Sequence, residues 1–267
     1  MARRLALITG ASAGIGAAFA RIYAGQGYDV ALTARRADRL DALAAEITLR
    51  FGVEAYAIPA DLADAAAGPD AVLDALSAHG RPCDALVNNA GYGLAGSYLN
   101  TAWSDQKAFL KLMVEAPCEL AHKVLPGMVD RRFGRIVNVA SLAGLVPPAA
   151  GHTLYAASKA LMVRFSQSLH LENLDTGVHV SALCPGFTLS EFHDVNGTRE
   201  RMNRSLPAWM WMGADEVAAA GYEAAEANRP VAVPGAPNKV IALAAKLLPD
   251  DWILALMASQ GARFRQL

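Results

Sequence analysis

The chain has 267 residues, of which 54% are hydrophobic and 18% are charged, and its formal net charge is −1. This composition excludes a disordered chain, and the near-neutral charge without a basic block gives no support for nucleic-acid binding. The apolar residues come in short runs and not in stretches of about 20 residues, so we predict no membrane-spanning helix. Three widely spaced cysteines fit neither a disulfide framework nor a zinc site, so we expect no bound metal and a cytoplasmic location.

Short apolar runs alternate with longer helical patterns along the chain. The predicted strands are Leu5–Thr9, Asp29–Thr33, Glu54–Ile58, Ala85–Asn88, Arg135–Val139, His179–Leu183 and Val231–Val233. The predicted helices between them are Ile15–Gln26, Ala37–Arg50, Ala71–Ala78, Ser104–Asp130 and Leu154–Leu174. This alternation predicts a single α/β domain over residues 1–267, with a doubly wound parallel sheet of about seven strands and helices on both faces.

Two regions depart from this alternation. Residues 187–212 show no clean periodicity and end in a Trp-Met-Trp-Met run, which is typical of a substrate-binding loop. Residues 234–267 are predicted to form a helical tail, with helices at Val240–Leu248 and Trp252–Ser259 separated by a Pro-Asp-Asp break. The tail could lie on a membrane surface, but we favour packing against protein, which leaves at most a peripheral membrane contact.

The first strand runs directly into a glycine-rich segment with the spacing G-x-x-x-G-x-G. Glycines allow a tight turn and let a pyrophosphate approach the backbone, and the helix that follows presents unpaired N–H groups to an anion. A turn without a ligand is the alternative, but the strand before and the helix after it favour a dinucleotide. The predicted cofactor-binding residues here are Gly10, Ser12, Ala13, Gly14, Ile15 and Gly16.

The end of the second strand is where an NAD-binding site usually places an acidic residue for the ribose hydroxyls. This chain has Arg35 and Arg36 there, and no acid. A guanidinium group at this point can bind the 2′-phosphate of NADP through paired hydrogen bonds, and two surface arginines at a helix start are the simpler alternative. The position and the missing acid together predict NADP, with NADPH as its reduced form, as the cofactor.

Tyr155 and Lys159 are four residues apart in a predicted helix, so their side chains share one face. A free tyrosine has a pKa of about 10, and a neighbouring ammonium group together with an oxidised nicotinamide would lower that pKa. The phenol could then protonate a carbonyl or deprotonate an alcohol. Ser141 follows the fifth strand, and we expect its hydroxyl either to hold the substrate oxygen or to cap a turn.

In combination, these motifs resemble a known family. The segments Thr9–Gly16, Asn88–Gly91 and Pro185-Gly186, with Ser141, Tyr155 and Lys159, follow the order and spacing of a classical short-chain dehydrogenase/reductase over at least residues 5–235. The resemblance implies a Rossmann-like fold and catalytic roles for Ser141, Tyr155 and Lys159. It also implies an NADP-dependent oxidoreductase that interconverts a ketone or aldehyde and its alcohol. Members of the family commonly form dimers or tetramers, so we expect a homodimer or homotetramer.

The resemblance further implies cofactor contacts along the carboxyl edge of the sheet. Asp61 and Leu62 would lie near the adenine, and Asn89, Ala90 and Gly91 would pass beneath the adenosine ribose. Lys159 would hold the nicotinamide ribose beside Tyr155. The remaining implied contacts, near the nicotinamide carboxamide and the pyrophosphate, are Pro185, Gly186, Thr188 and Ser190.

One position departs from the family pattern. The family often has an Asn in the helix before the fifth strand, where it supports a water chain from the lysine to solvent, and our alignment places Met113 there. A methionine thioether donates no hydrogen bond and accepts only weakly. We therefore expect either a relay that runs through backbone and water or a slower enzyme.

The predicted substrate pocket is mainly apolar, and it has no arginine cluster. Its expected wall comprises Leu142, Leu145, Val146, His152, Phe187, Leu189, Phe192 and residues 209–212. On the loop, Arg199, Arg201 and Arg204 are balanced by Glu191, Asp194 and Glu200. This predicts a hydrophobic carbonyl or alcohol substrate, and hence a carbonyl reductase. The alternatives are a non-catalytic NADP-binding sensor or regulatory protein, which only Met113 favours, and a sugar-nucleotide epimerase, which usually has a larger C-terminal domain.

Overall fold

A computed structural model describes residues 3–64, 67–94, 96–148, 150–151, 153–191, 207–249, 251–252, 254–255 and 258. Within these residues the strands are β1 (Leu5–Thr9), β2 (Asp29–Ala34), β3 (Ala55–Pro59), β4 (Ala85–Asn88), β5 (Gly134–Val139), β6 (Val178–Leu183), β7 (Thr188–Leu189), β8 (Met212–Gly213) and β9 (Val231–Ala232). The helices are α1 (Gly14–Gly25), α2 (Ala37–Phe51), α3 (Gly68–Ala78), α4 (Trp103–Leu110), α5 (Ala116–Asp130), α6 (Thr153–Glu172), α7 (Ala214–Glu226) and α8 (Ala236–Leu247).

Seven parallel strands form the main sheet in the order β3-β2-β1-β4-β5-β6-β9. The chain winds outward from β1 through β2 to β3, and then returns to the centre at β4 before it winds outward in the other direction. The strand order therefore reverses between β1 and β4, and the carboxyl ends of these two strands border the crevice where such sheets bind ligands. This arrangement confirms the predicted Rossmann-like α/β fold.

The core lies on both faces of the sheet, because successive residues of a strand point to opposite sides. On one face, Ala6 and Ile8 of β1 belong to a buried cluster with residues of α1, α2 and α7. On the other face, Leu5 and Leu7 belong to a second cluster with residues of α3, α5 and α6. Burial of each such leucine or isoleucine contributes roughly 1.5–3 kcal/mol, so the two layers hold the crevice in a fixed frame.

Several elements differ from the sequence-based expectation. The predicted helix Ser104–Asp130 is interrupted by a π-helical turn at Lys111–Glu115 between α4 and α5. Helix α7 was not predicted. The short parallel strands β7 and β8, which come before and after the irregular segment in the sequence, were not predicted either. Helix α8 begins at Ala236, four residues before the expected start. The second predicted tail helix lies largely outside the described residues, of which 251–252, 254–255 and 258 are helical.

The sequence of α7 explains why this helix was not predicted. Its buried face consists of Val217 and the small residues Ala218, Gly221, Ala224 and Ala225, so it lacks a row of large apolar side chains. A Cβ atom on Gly221 would lie 2.6 Å from the Cζ atom of Phe19 in α1. The glycine therefore allows α1 and α7 to approach closely and does not break the helix.

The described part of the chain contains no helix with the length and apolar content to cross a membrane. Among the same residues, no group of three or more His, Cys, Asp or Glu side chains could hold a metal ion. The three cysteines are all free, and Cys83 and Cys184 are buried.

Candidate active site

The glycine-rich loop after β1 has a backbone conformation that strongly favours glycine at two positions. Gly10 and Gly14 have φ angles of +65° and +54°, a region that side chains with a Cβ atom rarely adopt. A Cβ atom on Gly16 would lie 2.3 Å from the carbonyl oxygen of Gly10, and one on Gly14 would lie 2.8 Å from the Cβ atom of Ser190. The loop therefore folds tightly against itself and against the segment after β7.

The start of helix α1 is open to an anion. Its N-cap residue is Ala13, no side chain caps the helix, and its first turn carries no acidic residue. The first N–H groups of a helix have no partner within the helix, and the helix dipole adds partial positive charge at this end. Together with the glycine cradle, this geometry fits a dinucleotide pyrophosphate, as the sequence motif predicted.

The structure separates the two arginines at the end of β2. Arg36 donates from Nη2 and Nε to the Ser12 hydroxyl oxygen, at 2.9 and 3.3 Å, so it is held against the glycine loop. Its Nη1 atom donates to Glu191 Oε2 at 2.8 Å. Arg35 is exposed, and its charge lowers the pKa of Tyr92 against a larger rise caused by burial of that phenol. Arg36 is therefore the arginine fixed next to Ser12.

The partners of Arg36 were not predicted from the sequence. Arg39 also donates to the carboxylate of Glu191, from the first turn of α2. The position of Arg39 was predictable, because it follows Arg36 by three residues at the start of a helix and residues at this spacing are neighbours on the helix surface. Glu191 was expected only to balance the charge of the loop arginines, because nothing in the sequence shows that a residue 155 positions away meets Arg36.

The loop after β4 is tied to the end of β1 by Thr9. The Thr9 hydroxyl oxygen accepts from the backbone N–H groups of Asn89 and Ala90, both at 2.9 Å, and donates to the carbonyl oxygen of Val87 at 3.2 Å. The Asn89 amide donates to the carbonyl oxygens of Thr9 and Gly10, at 2.9 and 3.2 Å. Asn89 thus holds the glycine loop in place and presents the backbone of Ala90 and the exposed Gly91 at the crevice.

Asn88 has a structural role. Its side-chain amide donates to the carbonyl oxygen of Pro117 in α5 at 3.1 Å and to Asn138 Oδ1 in β5 at 2.9 Å. Asn138 in turn donates to the Ser166 hydroxyl of α6 at 2.9 Å. This chain of hydrogen bonds connects β4, β5, α5 and α6 behind the site.

Ser141 lies at the point where β5 ends and a short 3₁₀ turn, Leu142–Gly144, begins. Its Oγ atom accepts from the N–H group of Ala143 at 3.1 Å, so it caps this turn. A Cβ atom on Gly144 would lie 2.6 Å from the backbone carbon and oxygen of Lys159. The turn therefore rests directly on the backbone of α6, and the Ser141 hydroxyl reaches hydrogen-bonding contact with Tyr155.

The structure brings Tyr155 and Lys159 together on one side of α6, with the Lys159 ammonium 5.7 Å from the centre of the Tyr155 ring. The environment of Tyr155 raises its pKa above the ordinary value through desolvation, and the hydrogen bond with Ser141 acts in the opposite direction. The expectation that Lys159 and an oxidised nicotinamide together lower the pKa of Tyr155 stays a prediction, because burial of the phenol dominates without the cofactor. Burial weakens the lysine's own charge, and its ammonium points to another partner.

That partner is the end of β5. The buried Lys159 Nζ atom donates to the carbonyl oxygen of Val139 at 2.8 Å. Burial lowers the pKa of Lys159 from 10.5 to about 8, while the nearby Cys184 raises it slightly. Lys159 therefore titrates close to physiological pH, and it is positioned by the same strand end that leads into Ser141.

Met113 lies in the π-helical turn and is buried. It lines a narrow cleft together with Lys159, Thr9, Leu62, Asn88, Ala90, Leu112, Pro117, Leu120, Val139 and Met162. A Cβ atom on Gly91 would lie 2.8 Å from the Met113 sulfur atom, so the thioether packs directly against the loop after β4. The residue that replaces the expected asparagine thus faces the same cleft as Lys159.

The other predicted cofactor residues lie at the same edge of the sheet. Asp61 is exposed and accepts from the N–H group of Ala63 at 3.0 Å, and the neighbouring Leu62 is buried. After β6, the carbonyl oxygen of Pro185 accepts from Leu142 at 2.8 Å, and the Thr188 hydroxyl donates to the carbonyl oxygen of Gly186 at 3.2 Å. A Cβ atom on Gly186 would lie 2.4 Å from Asn238 Oδ1 of α8.

The described part of the expected substrate wall is apolar and partly open. The rings of Phe187 and Trp211 pack with their centres 5.7 Å apart, whereas Leu189 and Trp209 are 52% and 63% exposed. Leu142, Leu145 and Val146 are half-buried beside Ser141. His152, Phe192, Asp194, Arg199, Glu200, Arg201 and Arg204 lie outside the described residues.

Comparisons with known proteins agree with this geometry. The sequence matches the short chain dehydrogenase family over residues 4–201. It is 38% identical to the oxidoreductase UcpA of Salmonella typhimurium over 184 residues, which cover 69% of each chain. A short-chain dehydrogenase from Sphingobium yanoikuyae in complex with NADPH is 32% identical, with a TM-score of 0.78 over 97% of this chain and 95% of that one. A bulky-bulky ketone specific alcohol dehydrogenase from Comamonas testosteroni is 28% identical, with a TM-score of 0.75 over 97% and 93% of the two chains. The chain therefore belongs to the short-chain dehydrogenase family of oxidoreductases.

Proposed function

We propose that this protein is an NADP(H)-dependent oxidoreductase that interconverts a hydrophobic ketone or aldehyde and its alcohol. The observation that carries the proposal is the convergence of three side chains at the carboxyl edge of the sheet. Ser141 contacts Tyr155, and Lys159 lies one helical turn further along the same face. These groups form a candidate proton-transfer site next to a glycine loop that fits a dinucleotide.

The choice of NADP rests on Arg36 and Ser12. The guanidinium group and the hydroxyl are already hydrogen-bonded to each other at the end of β2, where a dinucleotide carries its adenosine ribose. Both can donate to a 2′-phosphate, which Arg39 and the exposed Arg35 would further stabilise by their charge. The structural relative from Sphingobium yanoikuyae, which was solved with NADPH, supports this choice.

The glycine loop and the backbone of Asn89, Ala90 and Gly91 would hold the dinucleotide. When bound, NADPH supplies the hydride for reduction of the substrate carbonyl carbon. Tyr155 donates its phenolic proton to the carbonyl oxygen, so that hydride and proton together convert the carbonyl to an alcohol. The Ser141 hydroxyl binds the same oxygen and orients it toward the phenol.

The raised pKa of Tyr155 suits a proton donor, because the phenol stays protonated near neutral pH. Lys159 titrates near pH 8, so its ammonium group can pass a proton back toward the phenolate. Met113 cannot relay protons through its side chain. We infer that reprotonation uses backbone groups and water in the cleft that Met113 and Lys159 share.

The proposed substrate is hydrophobic because apolar side chains border the site. Leu142, Leu145 and Val146 follow Ser141, and the packed rings of Phe187 and Trp211 lie after β6 and before β8. The structural relative from Comamonas testosteroni, named for bulky ketones, supports a ketone over a small polar substrate. A non-catalytic sensor is not favoured, since Ser141, Tyr155 and Lys159 are all brought together.

The proposal extends to the whole chain. We propose that residues 1–267 form one domain, that it works in the cytoplasm, and that it assembles as a homodimer or homotetramer. The free state of all three cysteines supports a reducing compartment. Exposed apolar side chains on α4 and α6 support self-association.

The test compares turnover with cofactor binding. Across a panel of hydrophobic ketones and aldehydes, we expect NADPH oxidation by the unaltered protein and a fall in kcat of at least about 100-fold in Tyr155→Phe. The dissociation constant for NADPH, measured from tryptophan fluorescence, should change less than about twofold, because the phenol is not needed for the phosphates.

Tyr56→Phe in β3 is the matched control. The Tyr56 hydroxyl donates a hydrogen bond to Glu54 away from the crevice, so loss of this hydroxyl should leave kcat unchanged. Tight NADPH binding without turnover of any carbonyl by the unaltered protein would instead point to a sensor.

A further inference from the structure

Glu191 occupies the basic site at the end of β2 from the other side of the crevice. Its Oε2 atom accepts from Arg36 at 2.8 Å, and its Oε1 atom accepts from Arg39. These two guanidinium groups, with Arg39 the stronger, hold the pKa of Glu191 below its ordinary value. The carboxylate is therefore charged at neutral pH, and it neutralises part of the basic cluster.

Each nitrogen atom of the Arg36 guanidinium group already donates one hydrogen bond. Nε and Nη2 donate to Ser12, and Nη1 donates to Glu191. A 2′-phosphate that reaches Arg36 would meet a carboxylate with the same sign of charge and the same kind of acceptor oxygens. The phosphate must therefore share the guanidinium group with Glu191 or displace it.

The position of Glu191 is set by its neighbours. Ser190 lies against the glycine loop, where a Cβ atom on Gly14 would approach its Cβ atom to 2.8 Å. Strand β7, immediately before, pairs with β8. The backbone before the carboxylate is thus seated on the phosphate-binding loop, which keeps the side chain within reach of Arg36 and Arg39.

We propose that Glu191 is a specificity-determining residue that competes with the 2′-phosphate of NADPH for Arg36 and Arg39. The carboxylate weakens NADPH binding and leaves NADH binding unaffected. It therefore reduces the preference for NADPH over NADH that the arginines alone would give. This inference rests on the proposed assignment of the 2′-phosphate to Arg36. It adds a role for an acidic residue that is 155 positions away from Arg36 in the chain.

The test measures binding and does not depend on turnover. Dissociation constants for NADPH, NADH, 2′,5′-ADP and 5′-AMP are compared between the unaltered protein and Glu191→Gln. We expect Glu191→Gln to bind NADPH and 2′,5′-ADP about three- to fivefold more tightly, the range expected for exposed charge pairs. Binding of NADH and 5′-AMP should change less than about twofold, and the gain should shrink at high salt because exposed charges are screened.

Glu46→Gln is the matched control. Glu46 forms a similarly exposed pair with Arg21, through two hydrogen bonds of 2.7 and 2.8 Å, on the neighbouring surface of α1 and α2. It removes the same charge without touching Arg36, so the four dissociation constants should stay within about twofold. A general effect of net charge would alter both variants alike and would contradict the proposal.

Arg36→Ala separates the inference from the function on which it rests. If Arg36→Ala binds 2′,5′-ADP as tightly as the unaltered protein does, the assignment of the 2′-phosphate to Arg36 is wrong. If Arg36→Ala weakens that binding but Glu191→Gln leaves it unchanged or weaker, the assignment stands and competition by Glu191 is refuted. Weaker NADH binding in Glu191→Gln would also refute it, because the carboxylate would then support the ribose hydroxyls.

Discussion

Lys159 places a titrating ammonium group where water is largely excluded. Burial lowers its pKa from 10.5 to about 8, and its hydrogen bond to the carbonyl oxygen of Val139 only partly compensates for lost hydration. A shift of this size corresponds to roughly 3 kcal/mol of stability that the charged lysine removes at neutral pH. The candidate site is therefore locally unfavourable for folding, as is common where a group is kept poised for proton transfer.

This leads to a prediction about pH and stability. Because the pKa of Lys159 is lower in the folded state, the unfolded chain binds more protons between pH 8 and 10.5, and stability rises with pH across that window. Lys159→Met cannot gain stability in this way. Its melting temperature relative to the unaltered protein should therefore be highest below pH 8 and should fall as the pH rises toward 10.5.

The exposed Lys246 of α8 offers the matched control, and Lys246→Met should follow the unaltered protein at every pH. If the melting temperatures of Lys159→Met and the unaltered protein instead change in parallel between pH 8 and 10.5, the folded protein stabilises the ammonium group as well as water does, and the prediction is wrong.

Single residues were predictable from sequence where the backbone fixes them. Helical spacing places Tyr155 and Lys159 on one face, and the strand end places Ser141 beside them. Electrostatic detail was less accessible, because it depends on distant groups. The direction of the Tyr155 pKa follows from packing around the phenol, and the pairing of Arg36 with Glu191 follows from the path of the chain after β7.

The 3₁₀ turn after β5 determines how closely strand and helix meet. Gly144 lies against the backbone of Lys159, where an added Cβ atom would be 2.6 Å from its carbonyl oxygen. Backbone atoms in the middle of α6 cannot yield as a flexible side chain would. A side chain at this position must therefore push the turn, and Ser141 with it, away from Tyr155.

We expect Gly144→Ala to lower kcat by about tenfold or more, because small displacements of catalytic groups reduce rates strongly. Overpacking at such a contact costs about 1–3 kcal/mol, so thermal unfolding should also occur at lower temperature. NADPH affinity should change much less than kcat, since the glycine loop is on a different strand. Steady-state kinetics, calorimetry and fluorescence titration measure the three effects.

Gly25→Ala in α1 is the control for a general effect of adding a methyl group, because its nearest contact would be an ordinary 3.5 Å to Phe51. Unchanged kinetics in Gly144→Ala would show that the turn can shift without moving Ser141.

Strands were predictable where they consist of a continuous run of apolar residues. Continuous apolar runs gave the buried strands β1 and β4 with their observed ends, since parallel strands covered on both faces need no polar positions. Helix α7 was missed because its buried face carries mostly small side chains instead of a row of large apolar ones. The π-helical turn was missed because hydrophobic spacing does not show where a helix gains an extra residue.

At the scale of the whole molecule, apolar side chains are exposed on helices α4 and α6. Trp103 at the start of α4 is 62% exposed, and Leu161 and Leu171 of α6 are 41% and 66% exposed. Helix surfaces of this kind are typical of subunit contacts. This distribution supports the proposed assembly, with α4 and α6 in the subunit contact.

We predict that the unaltered protein has the mass of a dimer or tetramer by light scattering, and that Leu161→Asp combined with Leu171→Asp shifts it toward monomer. Burying two carboxylates in an apolar contact carries a large desolvation penalty. Leu49→Asp on α2 is the control, because this leucine is 90% exposed on a different helix and its change should leave the mass unaltered. A monomeric unaltered protein would remove the basis for the proposed assembly.

The hydrogen bonds of Thr9 have a thermodynamic consequence for the crevice between β1 and β4. One hydroxyl group fixes the backbone of Asn89 and Ala90 to the end of β1, and the Asn89 amide fixes the glycine loop in return. The walls that face a dinucleotide are therefore ordered before it arrives. A preorganised site loses little conformational entropy on association, so more of the contact energy remains as affinity. Binding of a dinucleotide to this crevice should therefore require little rearrangement of the backbone around Thr9 and Asn89.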